Sequence, residues 1–283
     1  MRFILIIGLL LLNLEAKSLF SNDTQQESSI YIENLKELII STQKTRGLTN
    51  SYLNGNTATL LLVYGNRSDV KKAIGKMEST TLASDPVINN RASSISKALI
   101  KLNNKAFKQT AKKTFSDYTE QIEEILMLAQ TVSQRSTKDF NPFAREASTI
   151  MMETMLPLTE AIGQLRGFGS GLAAKGAVKK SDIERIYLLV HEVTSLNSTL
   201  QDQMNTLVSK HSDSLPATIN TEINSIDKAA KEYTQLASKK LLKTPSKVDS
   251  DLYFDQGTEF IETVVKTYNS LNRAISKDAE GWL

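Results

Sequence analysis

The chain has 283 residues, two histidines, no cysteine and a formal net charge of +3. Without cysteine it can hold no disulfide, no lipid-bearing cysteine after an apolar leader and no CxxCH haem attachment; His191 and His211 alone, with no HExxH spacing, give a metal site no support. So small a positive balance, spread over the whole chain, does not argue for nucleic acid, although it suits a small anion. Sparse aromatics (6%) and only five prolines fit a helical protein, and the length allows one large or two modest domains with a real core.

Arg2, the apolar run from Phe3 to Leu12 and the small residues Ala16 and Ser18 predict a cleaved secretory signal peptide over residues 1–18. The mature domain then spans 19–283, with a periplasmic or extracellular address. The apolar run is shorter than the ~20 residues of a full span, which weighs against an uncleaved anchor. No later segment approaches that apolar length.

Ser21 to Ser29 reads as a polar lead-in to a first long helix with the seam Ile32, Leu35, Ile39, Thr42, Arg46, Thr49 and Leu53. Its alternating steps of three and four are those of a helical-bundle core, and Arg46 stands where an apolar residue is expected. Asn54-Gly55-Asn56 is a stop signal. A short helix over Ala58 to Tyr64 should follow, with Ser68 capping another to about Leu82 after a Gly65-Asn66 turn. Ser84-Asp85-Pro86 marks a break, and Val87 to Gln134 is helical with an interruption near Asn103-Asn104. Its second part has the seam Phe115, Tyr118, Ile122, Ile125, Ala129 and Val132.

The segment Asp139 to Pro142 turns the chain, Asn141 being the N-cap and Pro142 the first helical residue. The next helix carries Met151, Met155, Leu158, Ile162, Leu165 and Leu172, methionines read as flexible core fillers, with Arg166 at the edge of the stripe. A further seam runs from Ile186 to His211, and its polar members Asn197 and His211 read as register or end-of-bundle residues. Pro216 opens another helix that ends at Thr244-Pro245-Ser246. The last presents Phe254, Ile261, Val264, Val265, Tyr268, Leu271 and Ile275 on one face. These elements predict an all-α, elongated protein of long helices arranged as bundles, with no strand.

Catalysis finds no support: there is no GxSxG elbow, no GxxxxGK[ST] loop and no GxGxxG fingerprint after a strand. Two similar segments stand out instead, Gln43-Lys44-Thr45-Arg46-Gly47-Leu48-Thr49 and Gly163-Gln164-Leu165-Arg166-Gly167-Phe168-Gly169. Glycine inside a helix costs about 1 kcal/mol relative to alanine, so such a cluster needs close packing or clearance to justify it. Neither arginine has an acid three or four residues away on its own helix. Each must therefore meet a carboxylate on another helix, reach solvent or bind an anion, and the residues alone leave all three open. Were it an anion, the planar guanidinium fork would suit a planar oxyanion such as nitrate or a carboxylate. Thr42, Thr49, Asn50, Gly167 and Ser170 are the candidate residues around the pair.

With Leu252-Tyr253-Phe254, Thr258 and Ile261, the two arginine motifs resemble the nitrate- and nitrite-sensing NIT domain of bacterial receptors, from about Ile30 to Ala274. The resemblance implies two stacked helical bundles that hold nitrate or nitrite between one arginine of each motif, by position Arg46 and Arg166, with no cofactor. Thr45 stands where the family often has glutamate. Family members usually continue into a second membrane span and a signalling output, or into an RNA-binding antiterminator, whereas this sequence ends at Trp282-Leu283. It is therefore expected to report to a separate membrane receptor or kinase, not to bind nucleic acid, and, like the family's receptors, to form a homodimer. The competing expectation is a helical protein-interaction module with no anion ligand and both arginines in salt bridges.

Overall fold

The computed structural model describes residues 2–137 and 140–280, apart from the side chains of residues 2–26, 28, 136, 279 and 280. The signal-peptide side chains, including Ala16 and Ser18, lie outside what is described, as do Asp139 and the terminal Trp282-Leu283. Among the described residues there is no strand, and no helix is long and apolar enough to cross a membrane.

The helices are α1 (Arg2–Leu53), α2 (Leu60–Glu78), α3 (Pro86–Lys105), α4 (Ala111–Ser136), α5 (Pro142–Ile150), α6 (Leu156–Lys175), α7 (Lys180–His211), α8 (Ile219–Gln235) and α9 (Ser250–Glu280). Helices α1 to α4 form one four-helix group and α6 to α9 another, and the two meet along α1 and α6. The seams read from the sequence are the buried faces: Phe115, Tyr118, Ile122, Ile125, Ala129 and Val132 of α4 are all buried, as are Phe254, Ile261, Val264, Tyr268, Leu271 and Ile275 of α9. A single large apolar cluster runs through both groups.

Local chemistry sets the boundaries. Asp85 and Asn141 cap α3 and α5, their side-chain oxygens accepting from Val87 N at 2.9 Å and Ala144 N at 2.8 Å, with Pro86 and Pro142 in the first turn. Gly55 (φ 115°) and Gly176 (φ 67°) take the left-handed backbone that ends α1 and α6. Between α5 and α6 the helix does not stop: Met151–Met155 is a π turn, and another, Leu236–Leu241, follows α8.

Two expectations are corrected. Ser21 to Ser29 is not a lead-in but part of α1, which runs through it. Gly65-Asn66 is not a turn: α2 is one helix, and the Asn66 amide is buried, donating to Ser41 O and to Thr45 Oγ1, both at 2.6 Å. A polar residue that looked like a breaker is a contact between helices. The interruption expected near Asn103-Asn104 is there: α3 ends at Lys105, and Thr110 Oγ1 accepts from Lys113 N to cap α4.

Candidate functional site

The two arginine motifs meet. Helix α1 crosses α6 where Gly47 faces Gly167: a Cβ added to Gly167 would sit 3.0 Å from the Gly47 Cα, and one added to Gly47 would sit 3.4 Å from the Gly167 Cα. The residue before each glycine is an arginine, so the crossing sets Arg46 and Arg166 side by side, close enough for the charge of one to act on the other.

Each guanidinium has the same two supports. Arg46 is fully buried, its Nη1 donates to Thr119 Oγ1 at 2.9 Å, and its Cζ lies 4.8 Å from the Phe115 ring centroid. Arg166 is 1% exposed, its Nη1 donates to Thr258 Oγ1 at 2.9 Å, and its Cζ lies 4.5 Å from the Phe254 centroid. Both threonines donate their own hydroxyl to the carbonyl one turn back, which belongs to that same phenylalanine: Thr119 to Phe115 O at 2.9 Å, Thr258 to Phe254 O at 3.0 Å. A Phe-x-x-x-Thr turn on α4 thus serves Arg46, and its counterpart on α9 serves Arg166. With its proton committed, each threonine can only accept from the arginine, and the ring face meets the cation.

The two differ in their acids. Arg46 makes a two-pronged ion pair with Glu160 of α6, Nη1 to Oε1 and Nη2 to Oε2, the latter at 3.1 Å. Burial pushes the Glu160 carboxyl above the ordinary carboxylate range, against the lowering by Arg46, Gln164 and Gln43. Arg166 makes no ion pair among the described residues, and its Nε and Nη2 are buried with no hydrogen-bond partner. Burial first, then the charge of Arg46, pull its pKa down to about 10, so it stays a cation at neutral pH. Its Nε and Nη2 hydrogens form one edge of the guanidinium, the edge that takes two oxygens of a planar oxyanion.

Arg166 is thus not at the edge of the core, as its place in the stripe suggested, but inside it, because α6 is covered by α1, α7 and α9 together. Of the other candidates, Thr42 is buried and its hydroxyl has no partner, while Thr49 is buried beside Tyr118. Asn50 Nδ2 and Ser170 Oγ donate to the Gly167 carbonyl at 2.8 and 3.2 Å, bracing the crossing itself. Gly163 gives clearance to Arg46, since a Cβ there would meet Nη2 at 3.1 Å. Glu160, Thr119 and Phe115 are the participants that motif reading missed; the repeated Phe-x-x-x-Thr spacing was the one sequence signal for Thr119 and Phe115, and Glu160 had none.

A pair of arginines buried where two four-helix groups meet defines an all-helical, double-bundle protein with a built cationic centre. The family model for nitrate and nitrite sensing matches residues 37–277, nearly the whole chain, and the chain belongs to that family. Among solved structures it is similar in fold to the NasR transcription antiterminator, with a TM-score of 0.74 at 13% identity, covering 97% of this chain and 74% of that one. No curated protein sequence matches it.

Proposed function

We propose that the chain is a non-catalytic periplasmic sensor module, its signal peptide removed, that binds nitrate or nitrite between Arg46 and Arg166 and reports to a separate receptor or kinase. The observation that carries this reading is the Nε/Nη2 edge of Arg166: a buried cation without an acid, two of whose donors have no acceptor, in a protein of the nitrate- and nitrite-sensing family. A lone buried charge is costly, and a bound anion removes that cost. Two arginines and Glu160 leave one net positive charge, which a monoanion neutralises and a dianion overshoots. The competing interaction-module reading needs both arginines in ion pairs, and among the described residues Arg46 has one and Arg166 has none.

The two free donors of Arg166 are shielded from solvent. An anion therefore reaches them only as the helices around them give, and the altered approach of α1 and α6 is the signal. Calorimetry of the mature protein with nitrate, nitrite, chloride and sulfate tests the reading: heat is expected with nitrate or nitrite and little with sulfate. Folded protein that gives no heat with millimolar nitrate or nitrite would overturn it.

A further inference from the structure

Beside the crossing is an open cavity of about 490 Å³ between α1, α4, α6 and the start of α7. Four cations line it, Lys112, Lys175, Lys179 and Arg185, against a single acid, Asp182. That acid is partly committed: its Oδ2 accepts from the Lys179 backbone N–H at 2.8 Å, capping α7. Asp182 offsets part of the charge, its field acting on Arg185, and the lining keeps a net excess of positive side chains.

Arg185 is its fixed member. The half-buried guanidinium has its Cζ 4.6 Å from the Phe168 ring centroid and 5.3 Å from that of Phe115, and it forms no ion pair among the described residues. The two rings meet edge to face, with centroids 6.3 Å apart. An arginine held by aromatic faces keeps its hydrogen-bonding edges free for an anion.

Phe115 is shared. The ring that Arg185 faces is also the one against Arg46, and it is 3% exposed. Asn50, anchored on the Gly167 carbonyl, belongs to the same wall. One aromatic ring, with the Asn50 amide beside it, thus separates the cationic surface cavity from Arg46, the nearer of the two shielded arginines.

We infer that this cavity is an outer binding site for small oxyanions, from which they pass Phe115 to the buried pair, an inference that rests on the function proposed above for Arg46 and Arg166. Lysines and Arg185 concentrate the anion at the surface, as charge of one sign in a cleft does. The outer site, being open, holds nitrate, nitrite and sulfate alike. Selection for a planar monoanion happens at Arg166.

The test is a nitrate titration of the ¹⁵N-labelled full chain, read at the Nε–H resonances of Arg185 and Arg166 and repeated with sulfate. Arg185 is expected to shift with both anions and Arg166 with nitrate alone. In the Arg185→Gln variant, nitrate association at Arg166 should slow by about tenfold at low salt, and its salt dependence should flatten. Dissociation should slow with it, leaving Kd within about threefold, because Arg185 is on the path and not in the final site. If Arg185 is unmoved at nitrate concentrations that move Arg166, or if Arg185→Gln leaves the rates unchanged, the outer site is overturned. A shift at Arg185 with none at Arg166 would uphold the outer site and sink the buried one. No shift at either would overturn both.

Discussion

Gly47 and Gly167 pass so closely that a methyl on Gly167 would lie 3.0 Å from the Cα of one and from the Phe115 ring of the other side. This approach, between the residues that follow the two arginines, is what brings both guanidinium groups to one place. Substituting Gly167→Ala should push α1 from α6 and cost about 1–3 kcal/mol, the usual range for overpacking. Denaturant unfolding reads that cost. Nitrate affinity should fall with it, because the same displacement widens the gap between Arg46 and Arg166.

The two arginines should differ in what they do for stability. Removing Arg46 leaves Glu160 buried without its cation, so Arg46→Met should cost about 3–5 kcal/mol. Arg166 has no ion-pair partner to strand among the described residues, and Arg166→Met replaces a buried charge, eased only at longer range by Glu160 and Glu262, by an apolar chain of similar length. It should raise stability by about 1 kcal/mol or more while abolishing nitrate binding. Parallel unfolding curves and titrations of the two variants check this. Equal destabilisation by both would contradict the asymmetry.

Much of this was legible in the sequence, and the limits are physical. Seam spacing exposed Arg46 as a charge in a core position, and the matching glycine-flanked arginine pointed to a pair, because period and composition are local properties. Glu160 was not legible: which acid meets Arg46 depends on which helices cross and at what angle. The depth of Arg166 was missed for a related reason. A stripe identifies the face toward one neighbour, but Gly163, Gly167, Gly169 and Ser170 leave α6 thin enough to be covered on several sides. Asn66 was misread because a buried amide that bridges two helices has the same letter as one that breaks a helix.

Acid should strengthen nitrate binding. Burial raises the Glu160 pKa, so the carboxyl takes up a proton at a higher pH than an ordinary glutamate, and protonation leaves both arginines for the ligand. Affinity is expected to rise as the pH falls through that titration, by a factor on the order of ten for one added charge at close range. For the protein alone the sign is the same. A carboxyl whose pKa is higher folded than unfolded contributes stability that is present below its unfolded pKa and is lost as pH rises through the folded one. Glu160→Gln should bind nitrate tightly and show no such pH dependence. Titrations of the parent and variant over a series of pH values would show it, and an affinity that falls in acid would count against Glu160 as the competitor for Arg46.

Ile40 is the final test of the asymmetry. Glu160 lies six residues before Arg166, and aligning the two motifs on Arg-Gly puts Ile40 at the same place before Arg46. If the two halves of the centre are equivalent, as the Phe115/Thr119 and Phe254/Thr258 pairs are, position 40 faces Arg166 as Glu160 faces Arg46. An isoleucine there would then leave Arg166 without the carboxylate that Arg46 has. Ile40→Glu should supply one, occupying the Nε/Nη2 edge or its end and leaving the centre without net charge. Nitrate affinity should then drop by two orders of magnitude or more, about 3 kcal/mol, with the helical content retained. Ile40→Gln, equal in size and neutral, separates charge from shape: it should lose far less affinity. If the two variants bind nitrate equally, position 40 does not reach Arg166 and the lack of an acid there has another origin.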